Sequence, residues 1–130
     1  MASRSPLRPD IVVNEIDHKR ISELAAGAAL GRFAEVAETL QIEMDRAKVV
    51  GVGEVPPDVV HMGSTVEFSS AGGQFRRVTL VYPADADISA GRVSIMTPIG
   101  AALIGLAVGQ TIDWKTVDGR SDKLTIVRIV

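Results

Sequence analysis

"VSIMTPIGAALIGLAVGQTI", Val93–Ile112, runs for twenty residues without a charge. That length matches the roughly 20 apolar residues that cross a bilayer, and Gly105 and Gly109 have the GxxxG spacing by which membrane helices pair. The interior of the segment argues otherwise. Ser94, Thr97, Pro98, Gln110 and Thr111 interrupt it, and the strictly apolar-or-glycine run covers only residues 99–109. A run that short is more often a buried core element than a span. Thr97 before Pro98 reads as an N-cap with proline at N1, where the missing N–H costs nothing. Gly105 stands where a C′ glycine ends a two-turn helix. The segment therefore reads as strand, short helix over 98–104, turn and strand, and the GxxxG spacing is coincidental.

The strand on each side belongs to a region of period two. "TVEFSS" (65–70) and "FRRVTLVYP" (75–83) flank a glycine-bearing turn at 71–74, with Val78, Leu80 and Tyr82 on one face. "RVSIM" (92–96), "TIDWKTV" (111–117) and "DKLTIVRIV" (122–130) supply three more strands, the last two joined by a turn at Asp118-Gly119. Upstream, "GVGEVPPDVVHMGS" is a connector whose paired prolines end a helical regime. Within that regime Ile16, Ile21, Leu24 and Ala28 recur at helical spacing, which predicts a helix over 15–29. Asn14 is its N-cap candidate, and Asp17 gives a weak capping box. Gly27 and Gly31 mark a turn. Phe33, Ala37, Leu40, Met44 and Ala47 then form a heptad stripe on a second helix. Two such helices make an antiparallel hairpin, a short coiled coil with arms about 22 Å long. The expected fold class is α+β: a flexible tail (1–10), the hairpin (11–50), a linker (51–63), and an antiparallel β-sheet domain with one short helix (64–130).

Composition narrows the function. The chain has 130 residues, 46% hydrophobic and 23% charged, with a net charge of −2, as in a soluble globular protein. It lacks the basic face of a DNA-binding module, so no sequence-specific DNA contact is expected. Cysteine is absent, which removes disulfides and thiolate chemistry. No apolar segment follows the two arginines of the first ten residues, so a signal peptide is not read there and the expected compartment is the cytoplasm.

The uncharged stretch also resembles a known signature. "SIMTPIGAALIGLAVGQTIDW" (94–114) is similar to the C-terminal motif of the bacterial Gre transcript-cleavage factors. The matching residues are Ser94, Thr97, Pro98, Ile99, Gly100, Ala102, Leu103, Ile104, Gly109 and Gln110, with Thr97 for the usual serine and Gln110 for the usual acid. "DRAKVV" (45–50), "PPDVVHMGSTVEF" (56–68), "VTLVYPADAD" (78–87) and "PIGAALIGLAVGQTIDW" (98–114) follow in the order of the regulator of nucleoside diphosphate kinase (Rnk) family, Gre relatives with a shortened arm. The resemblance implies a C-terminal domain of FK506-binding-protein-like topology and a partner, bacterial RNA polymerase, near whose secondary channel the protein would sit.

In the cleavage factors an acidic coiled-coil tip helps to hold a catalytic magnesium. Here the expected tip, "ELAAGAALGRFAE" (23–35), has no acidic pair between Ala25 and Arg32, and alanine and glycine side chains cannot hold a metal. The reading is a non-catalytic regulator that does not stimulate transcript cleavage, with no cofactor. The alternative is a protein that regulates nucleoside diphosphate kinase or nucleotide metabolism by direct or indirect interaction. No glycine-rich phosphate loop supports a kinase. His18 and His61 form no visible pair, and 4% aromatic content leaves little for a prolyl-isomerase pocket. The candidate polymerase-binding loop is Met96, Thr97, Pro98 and Ile99, whose competing reading is purely structural.

Overall fold

The computed structural model describes residues 10–115 and 120–130. The turn expected at Asp118-Gly119, and all but the last residue of the expected tail, lie outside the described residues. β1 (Val12–Asn14) leads directly into α1 (Glu15–Gly27). Asn14 caps that helix, its side-chain oxygen accepting from the Asp17 amide at 2.8 Å. The helix ends at Gly27, two residues before its expected end, and the Ala28 amide closes it onto the Leu24 and Ala25 carbonyls.

After a tight tip, α2 (Ala34–Arg46) returns. Ala37, Leu40 and Met44 are buried as the heptad spacing requires, while Phe33 lies just ahead of the helix. Against them α1 places Ile21 and Ala25. Alanine on both sides lets the two backbones approach closely. The His18 Nε2 donates to the Met44 carbonyl at 3.0 Å, joining the start of α1 to the end of α2. β2 (Lys48–Val50) then pairs in parallel with β1, Val12 opposite Lys48, and closes the base of the hairpin.

The larger sheet contains β3 (Thr65–Ser70), β4 (Phe75–Val81), β5 (Arg92–Ser94), β6 (Thr111–Lys115) and β7 (Ser121–Ile129) in the order β5-β4-β3-β7-β6. Three pairs are antiparallel as expected; the β4–β5 pair is parallel. Between those two strands the chain makes short helical turns at Pro83–Asp85 and Ile88–Ala90, and reciprocal Asp87–Arg92 backbone bonds turn it back. Period two sorts the sheet into faces. Val66, Phe68, Val78, Leu80, Leu124 and Ile126 are buried on one side. The other carries polar pairs: Thr65 with Thr79, Thr111 with Thr125, and Glu67 with Arg128 and Arg77.

α3 (Pro98–Leu103) completes the fold. Leu103, Ile104 and Leu106 join the inner sheet face and the hairpin residues Ile21, Leu40 and Met44 in one apolar cluster. The uncharged stretch is thus core material, and among the described residues no helix is long and apolar enough to cross a membrane. Gly105 has φ +80°, and a Cβ there would stand 2.5 Å from the Ile11 Cβ. Gly109 has φ +90° with open space around it. Both alanine substitutions carry backbone strain of roughly 1–3 kcal/mol, and Gly105→Ala adds an overpacking cost of about the same size. Urea denaturation should therefore rank Gly105→Ala as clearly less stable than Gly109→Ala; equal midpoints would show that the contact with Ile11 is not limiting.

Candidate functional site

The loop between β5 and α3 is built by two hydroxyls and one glycine. Ser94 Oγ accepts from the Met96 amide at 2.9 Å. Thr97 Oγ1 donates to the Ser94 carbonyl at 2.7 Å and accepts from the Gly100 amide at 3.1 Å. Thr97 is therefore the N-cap of α3, with Pro98 at N1 as its fixed φ allows. Gly100 packs so tightly on the Ser94 carbonyl that a Cβ has no room. The spacing Ser-x-x-Thr-Pro-x-Gly thus has a direct folding role.

The loop does not present its four candidate residues equally. Met96 is only 8% exposed and belongs to the apolar cluster. Thr97, Pro98 and Ile99 are half-buried, with Ile99 leaning on that cluster. Two clefts meet at this loop. One, of about 660 Å³, lies between α2 and the sheet, with Phe33, Val36 and Thr39 facing Pro98, Ala101 and Trp114. The other, of about 600 Å³, includes Leu24, Ala28 and Pro83. Phe33, Met96 and Thr97 line both. Phe33 has the spacing of the heptad stripe, yet it is 44% exposed and forms a wall of the groove.

A polar clasp links the hairpin to the sheet domain. The Tyr82 hydroxyl, just after β4, donates to Asp17 Oδ1 at 2.8 Å. Asp17 Oδ2 accepts from the Asn14 side-chain amide at 3.1 Å. The aspartate thereby serves both the helix start and the sheet. The Arg20 guanidinium lies 3.8 Å over the Tyr82 ring. Burial, the hydrogen bond to Asp17 and its negative charge raise the tyrosine pKa well above its ordinary 10.0, against a smaller lowering by Arg20. The capping-box spacing placed Asp17 at the helix start, but nothing local indicated its partner 65 residues away.

No group of three or more metal-ligating side chains occurs among the described residues. The hairpin tip shows the same character, with Ala26, Gly27, Ala29, Leu30, Gly31, Arg32 and Phe33 exposed and no carboxylate among them.

This arrangement of a capped Thr-Pro helix on a mixed sheet, carrying a helical hairpin, matches known proteins. Residues 55–130 match the family model described as "Transcription elongation factor, GreA/GreB, C-term", and residues 9–50 match "Rnk N-terminus". The chain belongs to the Rnk branch of the GreA/GreB family. It is 39% identical over 123 residues to the regulator of nucleoside diphosphate kinase of Escherichia coli K12, covering 94% of this chain and 90% of that protein. To transcription elongation factor GreA of Azorhizobium caulinodans it is 36% identical over 100 residues, 75% of this chain and 61% of that one. A solved GreA/GreB elongation factor from Nitrosomonas europaea superposes with a TM-score of 0.74 at 35% identity, covering 95% of this chain and 99% of that one. The α+β layout of helices followed by a mixed sheet is that of the family, and the chain is a Gre-like regulator.

The clasp makes a test. Tyr82→Phe should destabilise the protein by roughly 1.5–3 kcal/mol, the range for losing a hydrogen bond to a charged group. Because folding raises the Tyr82 pKa, its contribution is full below about pH 10 and is lost as pH rises beyond it. Chemical denaturation from pH 8 to 11 should show a steeper loss in wild type than in Tyr82→Phe; parallel curves would exclude the clasp as the cause.

Proposed function

We propose that this protein is a non-catalytic regulator of transcription that binds bacterial RNA polymerase near the secondary channel and does not stimulate transcript cleavage. The observation that carries the reading is a Gre-type body combined with a tip that has no carboxylate between Ala25 and Ala34. A second metal ion needs acidic ligands to hold it and to activate water, and this tip offers none. Each arm has 13 residues, about 20 Å of helix, so Glu23 and Glu35 stay beside the body rather than at a distant active centre.

Docking falls to Thr97, Pro98 and Ile99, with Met96 packed behind them as support. Bound there, the protein would compete with longer channel ligands by occupying their seat. A second reading, regulation of nucleoside diphosphate kinase through protein contact, is supported by the name of the E. coli relative.

Pro98→Glu separates docking from folding, because an acid in the first turn suits the helix dipole. Purified core polymerase should be retained by the immobilised wild-type protein, and about tenfold less by Pro98→Glu at unchanged melting temperature. Polymerase never held above background, with nucleoside diphosphate kinase retained instead, would favour the second reading. Shortening of nascent RNA in stalled elongation complexes would overturn the non-cleaving assignment.

A further inference from the structure

The larger sheet ends in two unlike edges. β5 is three residues long and is closed at its start by the reciprocal Asp87–Arg92 backbone bonds. β6 is longer, and among the described residues it pairs on one side only, with β7. The ladder decides which of its backbone groups stay open. The Ile126 amide donates to the Gln110 carbonyl, so alternation turns the groups of Ile112 and Trp114 toward β7 as well. The N–H and C=O groups of Thr111 and Asp113 therefore face the open edge. Charge at an edge commonly guards it, but the Asp113 carboxylate is held by Lys123 Nζ at 2.7 Å, across the ladder from it.

The cleft of about 660 Å³ opens onto this edge. Ile112, Asp113 and Trp114 all line it. Consecutive strand residues point to opposite faces, so a cleft that touches all three meets the edge itself. Across from them it takes in two turns of α2, Glu35 to Glu43, about 12 Å of helix. Phe33, Val36, Pro98 and Ala101 give it apolar walls. The indole N–H of Trp114 is buried without a partner among the described residues, a donor left unsatisfied beside the strand edge. Three carboxylates, Glu35, Glu43 and Asp113, border the cleft against one cation, Arg32, with Arg46 and Lys123 pairing two of them from outside.

We propose that an extended, acid-free segment of a partner protein adds to β6 as a further strand, with apolar side chains in the cleft and basic ones opposite Asp113. Main-chain bonds to Thr111 and Asp113 supply the affinity, and the alternate side chains in the cleft supply the selectivity. An extended chain advances about 3.3 Å per residue, so about four residues match the α2 wall. A second copy is the poorer occupant. Two-fold pairing of β6 with itself would bring a second helical hairpin to the same face of the sheet, at a cleft with room for a few side chains. Thr97 and Pro98 border the same cleft, so an added strand would lie beside the docking loop. The inference does not depend on polymerase binding.

The test uses the full chain and a blocked six-residue peptide that alternates valine with lysine. Trp114 is the sole tryptophan, so its fluorescence reports occupancy of the cleft. The expected result is a saturable change, with slowed hydrogen exchange at the Thr111 and Asp113 amides. N-methylation of the peptide amides that face β6 should weaken binding about tenfold or more, because it removes main-chain bonds and leaves the protein untouched. Asp113→Pro should have a similar effect at a melting temperature near that of wild type, since this amide makes no ladder bond. Glutamate in place of lysine should weaken the peptide about threefold. No fluorescence change up to millimolar peptide, or equal affinity of the N-methylated peptide, would overturn the strand addition. Slow exchange at Thr111 and Asp113 without peptide, lost on dilution, would overturn it in favour of a second copy.

Discussion

The Val12 amide donates to the Gly105 carbonyl at 3.2 Å, and at that point two backbones touch with no side chain between them. The same few residues receive the connector, because the Gly105 amide bonds the Val60 carbonyl and the Val60 amide bonds the Leu106 carbonyl. Three parts of the chain that are far apart in sequence meet around one residue without a Cβ. The end of α3, the approach to the hairpin and the path of the connector are fixed together. A helix ending one residue later would leave β1 no seat, and the hairpin would have no defined direction.

The same economy governs the loop after β5. Ser94, Thr97 and Gly100 satisfy one another's backbone groups within a single turn, so the motif folds α3 while its outer residues remain half-exposed. Folding and docking requirements thus fall on neighbouring atoms. A substitution here has to be judged on both grounds, and Met96 shows why. It sits inside the signature, yet its side chain faces the core, leaving the surface to the residues after it.

What could be read from the sequence was local. α3 was legible because Thr97, Pro98 and Gly105 state its two ends within nine residues. The second hairpin helix was legible from Ala37, Leu40 and Met44, whose spacing reports burial on one side; on the first, Ile21 is buried as its spacing required, whereas Ile16 is exposed and the buried Ala25 lay outside the stripe. The β1–β2 pair was not, since three-residue strands carry almost no period and their parallel pairing joins residues 12 and 48. Tyr82 and Asp17 each looked complete alone, one as a strand residue and the other as part of a cap. Burial of Met96 escaped because strand alternation ends at Ser94. The turn that follows buries both Ile95 and Met96, which two-residue alternation cannot describe.

The short parallel pair at the foot of the hairpin has a consequence for how such proteins diverge. Because β1 and β2 join the two ends of the arm, the segment between Glu15 and Arg46 has its ends held at a fixed separation. Each added helical turn moves the tip outward by about 5.4 Å. The entropy of the closed segment changes only slowly with its length. Contacts near the foot, such as Asp17 with Tyr82 and His18 with Met44, would be kept, whereas those of Phe33 and Val36 in the clefts at Thr97 would change. Reach and tip chemistry can therefore change while the foot of the hairpin stays as it is.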